Sequence, residues 1–541
     1  MLKEIKSGAL IRTANACVFY IIIVLLPHIG YSAADISYED WVYAVYENKP
    51  ETTLRDMVIP GTHDSGTYNL NSHSDVSPDS PAVYALAKGI VADWGKSQSF
   101  DFHMMLRMGV RHFDLRIQKH QGHFVLVHGL IGMKLDDALS QVKHFADAHP
   151  MEPIILEVAK VPSSDDIGPM IDVFDLYLRH RRVNNTIPLA QITLGDIWKK
   201  DQYGQNFNII VVFRLASDHG HRRGYFSGDH QFTGTWADTE DEATLKSRLI
   251  NGSLHTGRFD PGLKAAPKDK LFYSTFTFTP KTSTIVKDVV NLFSSGSLLK
   301  WTQEELRPLM GEWVLEWVKE GLRPNIMTTD FFEYTALMPL VIALNQREEQ
   351  VPEEKLHYKV VTNSMSMWSS DSTHALHYVE MLRPVPEKGY SILGDVALSL
   401  KGEKVIKTLS VKDDQPGVAR PAGYNWVWND RGTGASRDLS VWRPIPQAGY
   451  ICLGDIVTNN HGIAPPKDIM QCVHKSYLKP ANVIKWQWDD VDSGGDYNLS
   501  LWHAEDVQAL PLEVFKGGRH HAMPDKTLFW IIDETKVIED A

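Results

Sequence analysis

Cysteine is scarce in this chain: three among 541 residues, at Cys17, Cys452 and Cys472. That leaves room for one disulfide at most if Cys17 is removed by processing, and the spacing of the remaining two says nothing of their geometry. Positive charge is also lacking, since 55 Lys and Arg face 67 Asp and Glu for a net charge of -12. A balance of this sign argues against nucleic acid as a partner and against a general attraction to anionic membranes. Long apolar runs are missing as well. The longest, Ala16 to Leu26, has eleven residues, too few for a membrane span. The chain ends Val-Ile-Glu-Asp-Ala, so the apolar tail of a lipid-anchor signal is absent.

What is present begins with that short run. Lys3, Lys6 and Arg12 precede it, and Ser32-Ala33-Ala34 follows as a small-residue cleavage site. Residues 1–34 have the layout of a signal peptide, which implies secretion; an uncleaved signal anchor is the alternative. Asn184, Asn251 and Asn498 each open a glycosylation sequon, as a secreted protein permits. The length exceeds what one core supports and points to two or three domains.

From Trp41 to about Leu344, short apolar strands alternate with helices. Val110–Ile117, Phe124–Val127, Ile154–Val158, Ile209–Phe213, Leu271–Phe276 and Ile326–Thr328 read as strands. Asp136 to His149 carries Leu139, Val142, Phe145 and Ala146 at helical spacing, and Trp301 to Gly321 carries Leu306, Leu309, Trp313 and Trp317. Alternation over such a length predicts a parallel α/β barrel of TIM type across 35–344. Asp218 to Thr235 reads as a long loop.

Three stretches place ionisable groups where apolar runs end. Ile59-Pro-Gly-Thr-His63-Asp64-Ser-Gly-Thr follows Met57 and Val58, Gly109-Val-Arg-His-Phe-Asp114-Leu-Arg116 comes next, and Phe124-Val-Leu-Val-His128-Gly is third. Strand ends that deliver such groups into glycine-rich loops are how a barrel builds a site at its C-terminal face. Two histidines, two aspartates and an arginine are the parts needed for phosphoryl transfer without an evident metal.

These motifs, followed by Glu152-Pro-Ile-Ile-Leu-Glu157, resemble in order the X domain of phosphatidylinositol-specific phospholipase C, in its bacterial-type, metal-independent branch. The resemblance covers roughly Trp41 to Tyr334. It implies a barrel that is distorted or incompletely closed, no cofactor, and transient contact with a membrane of inositol phospholipid. It further implies His63 as general base, His128 as general acid, Asp330 orienting His63, and Asp64 paired with His128. Arg116 would stabilise the phosphorane-like charge where calcium-dependent relatives use a metal, and Asp114 would hold Arg116. Arg214 matches a position that grips the inositol ring. Lys160 lies near the family's lysine but is displaced by one residue, with Ala159 in its place. Trp236 and Asp238 sit in a loop able to close over the ring.

Residues 345–355, charged and containing Pro352, read as a linker. Beyond them a repeat is visible directly. Trp368, Trp428 and Trp488 recur 60 residues apart, each opening an acidic turn, and Leu382, Trp442 and Trp502 follow each by 14. Arg383 to Asp395 matches Arg443 to Asp455 closely, and the third copy degenerates after Trp502. Three copies with short strands and Gly/Pro turns predict an all-β, pseudo-threefold module over 356–541, β-prism-like before trefoil. The second copy is similar to the vacuolar-sorting-associated repeat family, which implies an all-β module of unsettled activity, with a glycan or lipid ligand as one option. Trp426, Trp428, Trp486 and Trp488 read as inward-facing.

Plainer readings stand beside these. With 23 histidines in the chain, a lone His at a strand end is more often structural, and His112, His120 and His123 are read as structural or exposed. Asp64 can cap a turn, and Arg116 can serve a barrel salt bridge. Two rival functions keep the same barrel: a glycerophosphodiesterase or sphingomyelinase-D-like enzyme using a metal, or an inactive barrel whose β module does the recognition.

Overall fold

Isoleucine- and valine-rich segments that are buried along their whole length, such as Ile209–Phe213, demand cover on both faces, and parallel strands flanked by helices provide it. A computed structural model describes residues 36–214, 223–255, 258–293, 295–346, 354–402, 405–447, 449–505 and 510–540. The signal-peptide segment 1–34 and residues 347–353 of the expected linker lie outside the described residues.

The strands of the first half are β1 Ile59–Thr62, β2 His112–His120, β3 His123–His128, β4 Leu130–Lys134, β5 Ile154–Lys160, β6 Ile209–Phe213, β7 Phe226–Ser227 and β8 Phe232–Trp236. They continue with β9 Ser253–His255, β10 Arg258–Asp260, β11 Leu271–Phe276 and β12 Ile326–Thr329. Eight of them run in the order β7-β6-β5-β2-β1-β12-β11-β8, every neighbouring pair parallel. Among the described residues no ladder joins β7 to β8, so this is a nearly closed barrel with one open seam. The turn Gly228–Gln231 spans that seam.

Three expectations about strands change, and one about the linker. Phe124–Val127 is a strand but not a barrel strand: β3 pairs antiparallel with the far end of β2 and with β4, forming a hairpin excursion above the barrel. The first strand does not end at Val58 but is Ile59-Pro-Gly-Thr62 itself. Within the expected loop Asp218 to Thr235, where 218–222 lie outside the described residues, two barrel strands form. The helices follow the sequence more closely. Leu135–Ala148 buries Leu139, Val142, Phe145 and Ala146, and Trp301–Gly321 resolves into Leu298–Trp301, a π-type turn Thr302–Leu306 and Arg307–Lys319. Asn345 is not linker. Its amide bonds Tyr46 Oη at 2.7 Å and both backbone groups of Val58 at 2.8 and 2.7 Å.

The second half begins with the strand Leu356–Val361. Each repeat forms one three-stranded antiparallel sheet: Ser364–Ser369, Glu380–Pro384 and Val396–Leu398 in the first; Gly423–Asn429, Ser440–Ile445 and Ile456–Thr458 in the second; Val483–Asp489, Leu499–Glu505 and Phe515–Arg519 in the third. The first two strands of every sheet carry a register shift at the same place, just before Trp368, Trp428 and Trp488. Those bulges turn the three indoles into one core, with Trp368 edge-on to Trp428 and Trp488 at 6.1 and 6.2 Å. Trp368 donates to Asp430 of the next repeat at 2.9 Å, and Trp428 donates to Asp490 of the one after at 3.2 Å. A closed ring of backbone bonds runs Asp395 to Asp455 to Phe515 and back to Asp395 at 2.9, 2.8 and 3.3 Å, so pseudo-threefold symmetry reaches the main chain. Gly394 and Gly454 meet there: a Cβ on Gly394 would lie 2.6 Å from the Gly454 Cα. Cys452 and Cys472 form a disulfide between neighbouring strand ends.

Tyr38–Ala541 is one compact unit. The Arg307–Lys319 helix rests on the second repeat, where Asn425 Nδ2 donates to the Pro308 carbonyl at 2.9 Å, and its Lys319 donates to Thr527, beyond the third repeat, at 2.7 Å. Among the described residues no helix is long and apolar enough to cross a membrane.

Candidate active site

The open ends of β1, β2 and β12, with the tip of the β3 excursion, converge on one cleft. His63 follows β1 directly. Its carbonyl is pinned by Ser97 Oγ at 3.1 Å and Gln98 Nε2 at 2.9 Å, and Gln98 also donates to Thr329 at 3.0 Å, fastening β1 to β12. Asp64 adopts a left-handed backbone with φ of 45°, and Ser65 N donates to the Asp114 carbonyl at 2.9 Å. That turn aims the buried Asp64 carboxylate inward.

Asp64 is the hub. Arg116 Nε lies 2.5 Å from its Oδ1, while His63 Nε2 and His128 Nε2 lie 3.2 and 3.3 Å from its Oδ2. The expected contact of Asp64 with His128 is present, and the same carboxylate also meets the His63 imidazole and the Arg116 guanidinium. Asp330 Oδ1 sits 2.9 Å from His63 Nδ1, and Asp114 Oδ2 sits 3.4 Å from an Arg116 terminal nitrogen. The same nitrogen is 3.0 Å from His63 Nε2. His128 Nδ1 lies 2.8 Å from the Gly95 carbonyl, which fixes Nδ1–H as donor and leaves Nε2 facing Asp64. A side chain at Gly95 would put Cβ 2.7 Å from the His128 carbonyl, so the close approach of these segments needs glycine. The two imidazole centroids are 6.3 Å apart.

The charges set the protonation states. Burial opposes the His63 imidazolium, but Asp64 and Asp330 outweigh it and raise its pKa to about 9. Burial also works against the Asp64 carboxylate, yet Arg116, His128 and His63 hold its pKa down at about 2. Arg116 is pushed up by Asp64 and Asp114 against its own burial, and Asp330 is raised by burial despite His63.

His63, Asp64 and Asp114 present ligand atoms within 4.8 Å of one another, a donor set of the kind a cation takes. Arg116 lies against all three, ion-paired with Asp64 at 2.5 Å and within 3.0 and 3.4 Å of His63 and Asp114. A guanidinium already meets these donors, so with Arg116 in place they do not fit a metal ion.

The cleft has two parts. A larger one of about 280 Å³ is lined by His63, Arg116, His128, Lys160, Trp236 and Asp330 among others. A smaller one of about 120 Å³ adjoins it, lined by Arg214, Glu157, Asp260, Tyr273, His112 and Trp236 besides His63, Asp114 and Arg116. Arg214 donates to Glu157 at 3.2 Å and lies over the Tyr273 ring at 5.2 Å. Burial resists Glu157 ionisation, but His112 at 2.9 Å and Arg214 keep its pKa low. Lys160 pairs with Asp79 at the rim. Trp236 lines both parts, while Asp238 lines neither. His112 is buried and forms part of the wall; His120 meets Asp75 at 3.3 Å and His123 is exposed. Asp260 and Tyr273 were not singled out by sequence, and Glu157 was seen only as part of a motif, without a role. Glu157 closes that motif, Tyr273 lies in a strand read only as apolar, and their place in the β5 and β11 registers brings them to Arg214.

Comparison with known proteins agrees with this order of parts. Residues 88–191 match the family model described as phosphatidylinositol-specific phospholipase C, X domain, and residues 355–509 match that of vacuolar protein sorting-associated protein 62. PI-PLC X domain-containing protein 2 of Mus musculus is 24% identical over 58% of this chain and 89% of its own length. PI-PLC X domain-containing protein 3 of Homo sapiens is also 24% identical, over 58% of this chain and 94% of its own. Among solved structures, the phosphatidylinositol-specific phospholipase C of Listeria monocytogenes aligns with 57% of this chain and all of its own, at 18% identity and a TM-score of 0.40. The chain thus joins a segment that matches the X domain of phosphatidylinositol-specific phospholipase C to one that matches the Vps62 repeat family.

Proposed function

We propose that this protein is a phospholipase C that cleaves inositol phospholipids, glycosylated forms included, to diacylglycerol and a cyclic inositol phosphate without a metal. The observation that carries this reading is the Arg116 guanidinium held among Asp64, His63 and Asp114, with His63 and His128 both on the same Asp64 carboxylate. The inositol 2-hydroxyl attacks phosphorus, a ring P–O bond forms, and the bond to the glycerol oxygen breaks. His63, with Nδ1–H on Asp330, takes the hydroxyl proton at Nε2. His128, with Nδ1–H on the Gly95 carbonyl, donates a proton from Nε2 to the departing oxygen. Arg116 faces the charge gathering on the phosphoryl oxygens. The smaller cleft, with Arg214, Glu157, Asp260 and Tyr273, offers donors and acceptors to a polyhydroxylated ring.

A bilayer substrate needs an apolar approach to this cleft. Leu86, Val290, Leu292 and Phe293 are exposed in or just after two segments that pack together, Ala82–Leu86 and Thr282–Asn291, and Thr282 and Ile285 of the second line the cleft. Secretion belongs to the same proposal. It rests on the layout of residues 1–34 and is supported by the Cys452–Cys472 disulfide, a bond that persists in oxidising compartments. The β module would then act as the targeting part.

Phosphorus NMR of phosphatidylinositol vesicles treated with the protein tests the reaction. A cyclic phosphodiester signal that is lost in His63→Ala and in His128→Ala is expected. A noncyclic monoester as the first product, or turnover that survives both substitutions, overturns the assignment.

A further inference from the structure

Where the barrel meets the β module, Arg307 is clamped by the second repeat. Its guanidinium lies 5.4 Å from the Trp426 ring and 5.0 Å from the Trp442 ring. Trp426 and Trp442 are directly opposed across the first two strands of their sheet. Tyr497 of the third repeat closes the side, edge-on to Trp426 at 5.1 Å. Among the described residues no carboxylate pairs with Arg307, and the guanidinium reaches the Gly462 carbonyl only at 3.4 Å. Aromatic faces are what hold this cation.

The pseudo-threefold axis makes two further copies of that place. Moving on by 60 residues puts Trp486 for Trp426 and Trp502 for Trp442, and these are again directly opposed in register. The side wall follows the cycle: Tyr497 maps onto His377 of the first repeat, edge-on to Trp486 at 5.5 Å. In the remaining copy the positions hold Ser366, Leu382 and Arg437, and the arginine donates to the Ser366 carbonyl at 3.4 Å, so the clamp is lost there. The three sites are thus equivalent down to their cross-repeat contact. One is filled by Arg307, one has lost its aromatics, and one keeps two indoles with no cation over them among the described residues. Trp486, expected to face inward, is 43% exposed, against 3% for Trp426.

We propose that the Trp486–Trp502 pair, flanked by His377, is a binding site for an arginine side chain of another polypeptide. The occupant's chemistry is set by the filled copy: a planar, weakly hydrated guanidinium on the indole faces, with no carboxylate required. The lysine on the same face, Lys516 opposite Trp502 in register, is buried and donates its Nζ to the Cys452 carbonyl at 3.0 Å, and Lys485 on the other face is paired with Glu505. This site lies in the third repeat, apart from the catalytic cleft, and stands whether or not the barrel is a phospholipase.

Indole N–H resonances of Trp486 and Trp502 in the full chain report on occupancy. The probe is a blocked Gly-Arg-Gly peptide, compared with its citrulline and lysine counterparts and with a mixture of neutral glycans. The arginine peptide is expected to shift both indoles and saturate, lysine to bind several-fold more weakly, and citrulline to leave them unmoved. Trp486→Ala, at an exposed position, is expected to weaken the arginine peptide about tenfold with an unchanged unfolding midpoint. A second variant, Trp502→Leu, installs the residue found in the first repeat and should likewise weaken the peptide about tenfold, read at the Trp486 indole. Equal shifts from citrulline, shifts from glycans alone, or no saturable response to the arginine peptide each overturn the proposal.

Discussion

Replacing Arg116 by lysine keeps a cation on β2 but removes the fork that reaches Asp64, His63 and Asp114 at once. Turnover in Arg116→Lys should fall by about 10²–10³, the scale of losing one preorganised charge-stabilising contact, with added calcium failing to restore it. Initial rates on phosphatidylinositol vesicles measure this. The His63 pKa of about 9 gives a second expectation. A base must be unprotonated, so kcat/KM should climb with pH until His63 loses its proton near 9, and the Asp330→Asn variant should move that limb downward. The sign for stability is opposite. A histidine whose folded pKa is raised stabilises fully below its unfolded value of about 6.5, and this contribution is lost as pH rises through about 9. Unfolding midpoints across that window, compared with His63→Gln, show whether it is present. His63, Asp64, Arg116 and His128 were legible as ionisable groups clustered where apolar runs give way to loops, whereas Asp330 and the separate roles came only through the resemblance to the X domain. The roles of Glu157 and Tyr273 were hidden, since side-chain direction within an all-buried strand leaves no periodic trace. The sharing of Asp64 by both histidines was hidden too, being a matter of loop geometry.

Among elements, the repeat was the easiest to read and the barrel seam the hardest. A 60-residue period carried by tryptophan needs no structure to be seen, and the structure turns it into three indoles around an axis. β7 has two residues and no pattern, and β8 contains Gly234 among threonines, so neither announces itself as a strand. β3 reads like its barrel neighbours because burial of a hairpin and of a barrel strand impose the same apolar run. The indole bonds between repeats carry a prediction. Trp428→Phe keeps most of the packing but leaves the buried Asp490 carboxylate short of its donor at 3.2 Å, and should cost about 1–3 kcal/mol in denaturant unfolding. Reducing the Cys452–Cys472 bond, which closes a 20-residue separation, should cost about 3 kcal/mol with the native circular dichroism retained below the new midpoint.

At the scale of the molecule, barrel and β module are packed rather than tethered. Gly423 lies against Pro339, where a Cβ would come within 2.4 Å of the ring, and Gly311 lies against Asn425, where one would come within 2.8 Å. Such close approach makes the contact intolerant of added volume. Gly423→Val should cost about 1–3 kcal/mol by overpacking and split a single calorimetric transition into two as the module separates from the barrel. Catalysis by the cleft should be little changed, since Gly423 lines neither part of it. None of this contact was legible in the sequence: the charged stretch at 345–355 suggested a tether, whereas Asn345 is anchored inside the barrel. The account as a whole rests on chemistry without a metal. The direct measurement is turnover of phosphatidylinositol vesicles by the purified full-length chain in excess chelator, following cyclic inositol phosphate. Undiminished product with chelator, abolished in His63→Ala and His128→Ala, is the predicted result. Product that forms only when calcium is supplied would contradict it.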